Sequence, residues 1–233
     1  MRIQLRRSAD RGHADHGWLD SRHTFSFADY YDEAQMGFRS LRVINQDRVK
    51  PGRGFPTHPH RDMEIFSYVL EGALEHRDSM GNGRVLEPGQ IQLMSAGTGV
   101  THSEFNPSRT VGLHFLQIWI EPKVRGLRPS YTEWHPRPEA ESSKDVIVIS
   151  PDGREGSAVI HQDAIVRRLC VAPGESVEHT VLPGRGVWVQ MISGALRVGD
   201  AEIVAGDGAN AEQPGKFVLS ATQRVEALLF DLA

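Results

Sequence analysis

The sequence predicts an all-β chain made of two barrel units, and three observations carry that prediction. Short apolar segments rich in β-branched and aromatic residues recur between Gly, Pro, Asn and Asp turn signals, and no long stretch has a clean helical period. A proline-rich polar segment, Glu121 to Asp145, divides the chain near its middle. A short internal repeat relates the two sides. Glycine and proline, 23 and 13 of 233 residues, lie somewhat above ordinary usage, as a chain with many turns requires.

Taken in order, Ile65 to Leu70 reads as a strand closed by the Glu71-Gly72 turn. Asp78-Ser79-Met80-Gly81-Asn82-Gly83 is a hairpin signal, because Asn and Gly tolerate positive φ. Leu113 to Ile120 reads as a buried strand. Val146 to Ile149, Ala164 to Val171, Gly186 to Ile192 and Ala227 to Leu232 continue the pattern. Between the two groups, Pro122, Pro129, Pro136 and Pro138 precede Glu139-Ala140-Glu141-Ser142-Ser143-Lys144-Asp145, which reads as a linker. Tyr68-Val69-Leu70-Glu71-Gly72-Ala73-Leu74-Glu75 resembles Gln190-Met191-Ile192-Ser193-Gly194-Ala195-Leu196-Arg197. A second glycine turn follows each copy, at Gly89 and at Gly206. The expected units are residues 1–135 and 140–233.

Composition excludes several classes. With 26 Lys and Arg against 30 Asp and Glu, the net charge of −4 does not suit broad phosphate-backbone binding. Direct nucleic-acid contact is not expected. No window approaches the ~18 apolar residues of a membrane span, and the charged start Met1-Arg2-Ile3-Gln4-Leu5-Arg6-Arg7 has no apolar run after it. A single cysteine, Cys170, excludes an internal disulfide framework and any zinc site needing several thiolates. A cytoplasmic, membrane-free protein is the expectation. Cys170 lies in an apolar run and reads as a small buried hydrophobe rather than a nucleophile.

The unusual residue is histidine: nine of 11 lie before residue 136. The sharpest motif is Gly54-Phe55-Pro56-Thr57-His58-Pro59-His60-Arg61-Asp62-Met63-Glu64. Residues i and i+2 of a strand share a face with Cα atoms roughly 7 Å apart, so His58 and His60 aim two imidazoles at one point. The flanking prolines suit an edge strand or a strand start. His102 and Glu104 repeat the spacing in Ser95-Ala96-Gly97-Thr98-Gly99-Val100-Thr101-His102-Ser103-Glu104. Two such strands facing each other supply three imidazoles and a carboxylate, a set that suits a borderline divalent metal and leaves a position open for substrate or dioxygen. Glu64 shares the parity of His58 and His60 and competes as the fourth ligand, or supports one from behind. In the second unit, aligning Gly194 with Gly72 sets Thr180 against His58, Leu182 against His60 and Gly186 against Glu64. His179 falls one residue out of phase. That unit is expected to bind no metal and to serve a structural or gating role.

At these residues the chain resembles the pirin family of bicupins, and within it the bacterial pirin-like quercetin 2,3-dioxygenases. The two histidine motifs carry the resemblance. His23-Thr24-Phe25-Ser26-Phe27-Ala28-Asp29-Tyr30-Tyr31, Ser40-Leu41-Arg42-Val43-Ile44-Asn45, Ser150-Pro151-Asp152-Gly153, His161-Gln162-Asp163-Ala164 and Leu229-Phe230-Asp231-Leu232 extend it over nearly the whole chain. The resemblance implies two cupin barrels, of the double-stranded β-helix or jelly-roll kind, facing each other with one metal in the first. It implies His58, His60, His102 and Glu104 as the ligands. The cofactor implied is one divalent transition metal, with Fe(II) placed first and Ni, Mn, Cu, Co and Zn as alternatives.

The activity implied is ring-opening dioxygenation of flavonols such as quercetin with release of carbon monoxide. Glu104 would be the catalytic base, and the partners a small aromatic substrate and dioxygen. Phe25, Phe27, Phe55, Phe66, Phe105 and Phe115 are candidates for an aromatic wall, or for core. The alternative implied is a non-enzymatic, iron-binding, redox-sensing transcriptional co-regulator with a protein partner. The cluster Arg2, Arg6, Arg7 and Arg11 is the one basic patch considered for docking, against the plainer reading of a solvated face.

Overall fold

A computed structural model describes residues 2–138 and 143–233. The described chain forms two compact units: residues 12–135 with 158–162, and residues 2–11, 136–138, 143–157 and 163–233. Each is built from antiparallel strands in two sheets, as barrels of alternating strands require. No helix among the described residues is long and apolar enough to cross a membrane.

In the first unit, the large sheet runs in the order Ser130–Trp134, Ile91–Ser95, Glu64–Glu71, Leu113–Ile120, Leu41–Val49, Leu19–His23, Gly12–Asp15. The small sheet runs Gly54–His60, Val100–Phe105, Leu74–Asp78, Gly83–Leu86. Leu19, Val49, Val69, Leu74, Leu86, Leu113 and Phe115 form one buried cluster. The expected hairpin is present: Leu74 pairs with Leu86, and the Asp78 side chain accepts from the backbone N–H of Met80 and of Asn82 to close the turn.

The second unit repeats the plan. Gln4–Arg6, Gly208–Ala211, Gly186–Ser193, Val225–Leu232, Ala164–Val171 and Asp145–Ser150 are neighbours in one sheet. Ser176–Val181, Gly215–Ala221, Ala195–Val198 and Ala201–Val204 form the other. The repeated glycines have one physical cause. Gly72 and Gly194 adopt φ of 78° and 77°, and a Cβ would meet the carbonyl oxygen of Gly112 at 2.4 Å and of Arg224 at 2.0 Å.

The structure departs from the sequence expectations at several points. Gln4–Arg6 is a strand of the second unit, not the first, because its backbone pairs with Gly208, Ala209 and Asn210. Residues 158–162 return to the first unit, where the His161 N–H donates to Glu64 and the Lys123 N–H to the His161 carbonyl. The expected linker contains a strand, Ser130–Trp134, paired with Ile91–Ser95. Its Tyr, Thr and Trp are strand formers that the surrounding prolines obscure. The boundary at residue 140 and the stretch Glu139 to Ser142 lie outside the described residues.

The arginine cluster is not a free patch. Arg6 and Arg11 are buried, Arg11 donates to Ser8, and Arg7 is paired with Asp207 at 2.8 Å. Cys170 is half-buried rather than buried, and burial pushes its thiol above the ordinary range.

The phase of His179 is also corrected. Three residues, 61–63, join Gly54–His60 to Glu64–Glu71, but four, 182–185, join Ser176–Val181 to Gly186–Ser193. The longer turn shifts the alignment by one, so His179, not Thr180, corresponds to His58, and Val181 to His60. Burial agrees: Val177, His179 and Val181 are on the covered face, whereas Glu178 and Thr180 are exposed.

Candidate metal centre

The four expected ligands lie on two neighbouring strands of the small sheet, side by side rather than on opposed strands. His102 is paired directly with His58, Val100 with His60 and Glu104 with Phe55. Between these pairs His58 to Phe55 spans one residue more than His102 to Glu104, so a bulge falls at Pro56 and Thr57. Proline has no N–H to lose there, and Gly54–His60 is the edge strand of its sheet, as the prolines led one to expect. The bulge also sets a tautomer. The freed Pro56 carbonyl lies 2.7 Å from His58 Nδ1, which donates to it and turns the Nε2 lone pair inward.

His58, His60 and His102 converge, with ring centroids 4.5 to 4.8 Å apart in every pair. Their nitrogens lie close enough to share one ion. Burial, then the neighbouring rings His102 and His58, hold His60 at a pKa of about 4. Burial, His58 and His76 hold His102 at about 3. Both are therefore free bases at neutral pH. A knot of imidazoles pressed together within hydrogen-bond distance, His102 Nε2 to His58 Nε2 at 3.1 Å, is a donor set that fits a divalent transition metal.

Glu104 is buried on the same strand face as His102 and is cradled by three side chains of the large sheet. Its Oε1 accepts from Ser67 Oγ at 2.7 Å and from Gln92 Nε2 at 2.9 Å, and its Oε2 accepts from Gln117 Nε2. Ser67 pairs across the sheet with Gln117 on one side and Gln92 on the other, so one register line supplies all three donors. Behind them, the Tyr131 hydroxyl lies 3.3 Å from Gln92 Oε1 and donates to Glu133 at 2.9 Å. Burial and Glu133 push its phenol above its ordinary range.

A third strand adds a pair that sequence reasoning passed over. His76 and Asp78, again two residues apart, lie opposite Glu104 and His102. Both side chains are fully buried, with His76 Nδ1 3.4 Å from His102 Nδ1 and His76 Nε2 3.3 Å from Asp78 Oδ2. Burial raises the Asp78 carboxyl, but hydrogen bonds from Asn82, His76 and Met80 outweigh it and keep the group below its ordinary range. The signal available in the sequence was the repeated His-x-carboxylate spacing.

Glu64 does not join this cluster. It is buried in the large sheet, where Oε2 accepts from Ser95 Oγ at 2.7 Å and from the His161 N–H at 3.1 Å. Its role is to tie residues 158–162 down.

A cavity of about 540 Å³ opens on the cluster, lined by His58, His60 and Glu104 at one side. Of the six candidate phenylalanines, only Phe27 and Phe55 line it. Phe25, Phe66 and Phe115 are core, and Phe105 is half-buried elsewhere. Trp18, Tyr30 and Trp119 complete the aromatic wall, with Trp119 edge-on to His60 at 5.0 Å. Part of the lining is polar. Ser21 donates to Asp47, and His23 Nδ1 lies 2.8 Å from Asn45 Oδ1. Burial pushes the Asp47 carboxyl up to about 7; the Ser21 hydrogen bond opposes this, and the charges of Glu104 and Asp20 add to it.

Comparison with known proteins agrees with this architecture. The family described as Pirin matches residues 4–120, and the quercetinase C-terminal cupin domain matches residues 147–232. The chain is 47% identical over 230 residues to a quercetin 2,3-dioxygenase of Escherichia coli (strain K12), covering 99% of this chain and 98% of that one. The crystal structure of YhhW from Escherichia coli superposes with a TM-score of 0.96 at 45% identity, covering 100% and 98% of the two chains. A structure of bacterial pirin YhhW from Escherichia coli in complex with nickel(II) superposes with a TM-score of 0.95 at 45% identity, covering 99% of each. A bicupin strand plan in both units, a histidine cluster in the first and matches along almost the entire chain place this protein in the pirin family.

Proposed function

We propose that the protein is a metal-dependent dioxygenase that opens the ring of flavonols such as quercetin, with His58, His60, His102 and Glu104 as metal ligands. The observation that carries this reading is the meeting of a three-imidazole cluster, with the Glu104 carboxylate beside His102, and an aromatic-walled cavity of about 540 Å³ lined by His58, His60 and Glu104. A divalent metal held there, with Fe(II) as first choice, supplies Lewis acidity toward the substrate hydroxyl and a redox partner for dioxygen. The rest falls to the chain.

Trp18, Phe27, Phe55 and Trp119 offer flat apolar faces to the fused rings. Ser21, Asn45 and Asp47 offer hydrogen-bonding groups to phenolic hydroxyls. A carboxylate has about four acceptor sites. Three on Glu104 are filled by Ser67, Gln92 and Gln117, which orient it and leave one site, to be held by the metal or, when that bond is released, by the proton of the reacting hydroxyl. The overall change consumes one flavonol and one O₂ and expels one ring carbon as carbon monoxide.

The test is to load the protein separately with Fe(II), Ni(II), Mn(II), Co(II), Cu(II) and Zn(II), add quercetin in air, and follow flavonol, O₂ and carbon monoxide together. Matched loss of flavonol and O₂ with carbon monoxide release is expected for at least one redox-capable metal, and Glu104→Gln is expected to slow it about 100-fold. Metal binding without flavonol or O₂ consumption under any loading would falsify the enzymatic reading in favour of a metal-responsive regulator.

A further inference from the structure

Three neighbouring strands of the small sheet each place a pair of groups, two residues apart, toward the same centre. Two of these pairs are the proposed ligands; the third, His76 and Asp78, does not line the cavity of the proposed site. We propose that His76, held by Asp78, is a positioning residue that selects the tautomer of His102 and so presents its Nε2 to the metal. The inference rests on the reading of His102 as a ligand.

The argument is one of proton direction. The Asp78 carboxylate is fixed in the hairpin by the N–H groups of Met80 and Asn82 and by the Asn82 side chain at 2.8 Å. An ionised carboxylate only accepts, so its contact with His76 Nε2 requires the proton on that nitrogen. In the neutral ring, the form favoured beside a metal cation on His102, His76 Nδ1 is then a bare lone pair. It faces His102 Nδ1 at 3.4 Å, and two lone pairs so close need a proton or a cation between them; with the metal assigned to the Nε2 side, where His102 and His58 meet, a proton stands here. His102 therefore carries its proton on Nδ1, which donates to His76, and its Nε2 lone pair is free on the side of His58 Nε2.

Tyr131 stacks on His76, with centroids 5.2 Å apart and planes at 30°, and packs the imidazole in place. His58 reaches the same end by a different route, through the Pro56 carbonyl. The tautomers of two ligands on adjacent strands are thus set by two independent acceptors. An alternative, in which His76 is itself a ligand beside His102 and Glu104, needs its Nδ1 and His102 Nδ1 both turned to an ion. That leaves His102 Nε2 unused against His58.

The experiment uses the full chain with Zn(II), which permits NMR, and Ni(II) as a second metal. Metal dissociation constants are measured by chelator competition for wild type, His76→Leu, His76→Gln and Asp78→Asn, with thermal unfolding of the metal-free forms as the fold check. Ring ¹⁵N shifts report the tautomers in Zn(II)-loaded wild type. We expect affinity to fall about 10- to 100-fold in His76→Leu. His76→Gln should recover most of it, since the amide oxygen accepts from His102 while the amide nitrogen donates to Asp78. Asp78→Asn should lose less than His76→Leu. In the wild type, His102 should carry its proton on Nδ1 and the metal on Nε2, and His76 its proton on Nε2.

Unchanged affinity in folded His76→Leu, or metal on Nδ1 of His102 or His76, overturns the proposal. Wild type that binds neither metal overturns the ligand reading beneath it instead. If His76→Leu fails to fold, the ring ¹⁵N shifts of wild type and the affinity of His76→Gln decide.

Discussion

In the first barrel His58 is paired with His102 across two neighbouring strands; in the second the same pairing joins His179 to Phe217. The substitution continues line by line. His76 opposite Glu104 becomes Val198 opposite Leu219. Ser67 between Gln117 and Gln92 becomes Val189 between Leu229 and Ala209. Asp47 opposite Phe115 becomes Leu169 opposite Ala227. The apolar replacements all belong to one buried cluster, so where the first barrel holds a polar cradle the second holds hydrocarbon core.

Two barrels with one strand plan thus solve opposite problems. Burying a Val or Leu side chain contributes about 1.5–3 kcal/mol, whereas buried polar networks at best break even against well-packed apolar groups. The first barrel gives up that stabilisation for a site. His179 is the remnant polar group in the second, and it has been absorbed into an ion cluster: it lies 3.2 Å from Asp231, which Arg185 also contacts while reaching Asp163 at 2.9 Å.

The largest effects should come from exchanging the two interiors. Glu104→Leu removes the acceptor of three buried donors and one proposed ligand. We expect metal affinity to drop at least 100-fold and stability to fall by about 3 kcal/mol, at roughly 1 kcal/mol or more per unpaired donor. Leu219→Glu places a carboxyl where Val189, Ala209 and Leu229 offer no donor, and should destabilise its barrel by about 3 kcal/mol or more while leaving metal affinity within twofold. Chemical denaturation together with metal titration reads both. If Leu219→Glu is tolerated without loss, the view of the second interior as an obligate hydrocarbon core is broken.

An intermediate effect concerns pH. Protons compete with metal only as pH nears the pKa of the imidazoles. With His60 at about 4 and His102 at about 3, these two ligands should keep their lone pairs at pH 5, where an ordinary imidazole of pKa about 6.5 is mostly protonated. Equilibrium dialysis at pH 7 and pH 5 should show at most a modest drop in bound metal. A steep loss centred near pH 6.5 would mean that the cluster does not depress its own basicity. In the metal-free protein the sign is the same: the unfolded chain binds more protons below pH 6.5, so stability should fall as pH is lowered from 7 toward 4.

The smallest effect should come from the polar wall of the cavity. Asp47→Asn keeps the volume and an acceptor for Ser21. It should raise the KM for a polyhydroxylated flavonol about threefold, with kcat within twofold, because one hydrogen bond is worth about 1 kcal/mol. Steady-state kinetics on flavonols that differ in their ring hydroxyls would show whether Asp47 reads them. Equal KM for all of them in wild type would remove that role.

The local geometry of a strand was enough to pick out His58, His60 and His102 with two candidate carboxylates, Glu64 and Glu104, because side-chain parity is fixed at two residues whatever the rest of the chain does; the resemblance to pirins singled out Glu104. The same reasoning found the hairpin at Asp78 and the glycines at 72 and 194, whose turns need positive φ. It could not rank His76 above other histidines, nor find Ser67, Gln92, Gln117 and Asp47, because their meaning lies in which strand pairs with which. Register is a tertiary property, set by where hydrophobic faces are buried and by the length of each turn. One residue more in the turn 182–185 moved His179 into the place of His58, and a bulge at Pro56 and Thr57 aligned the ligand strands. What the chain alone determined was the strand habit, the two-unit plan and the parity that singled out three histidines and two candidate carboxylates. What only the folded molecule decided was how the supporting groups are arranged around them, since hydrogen bonds between residues tens of positions apart exist only once the sheets have paired.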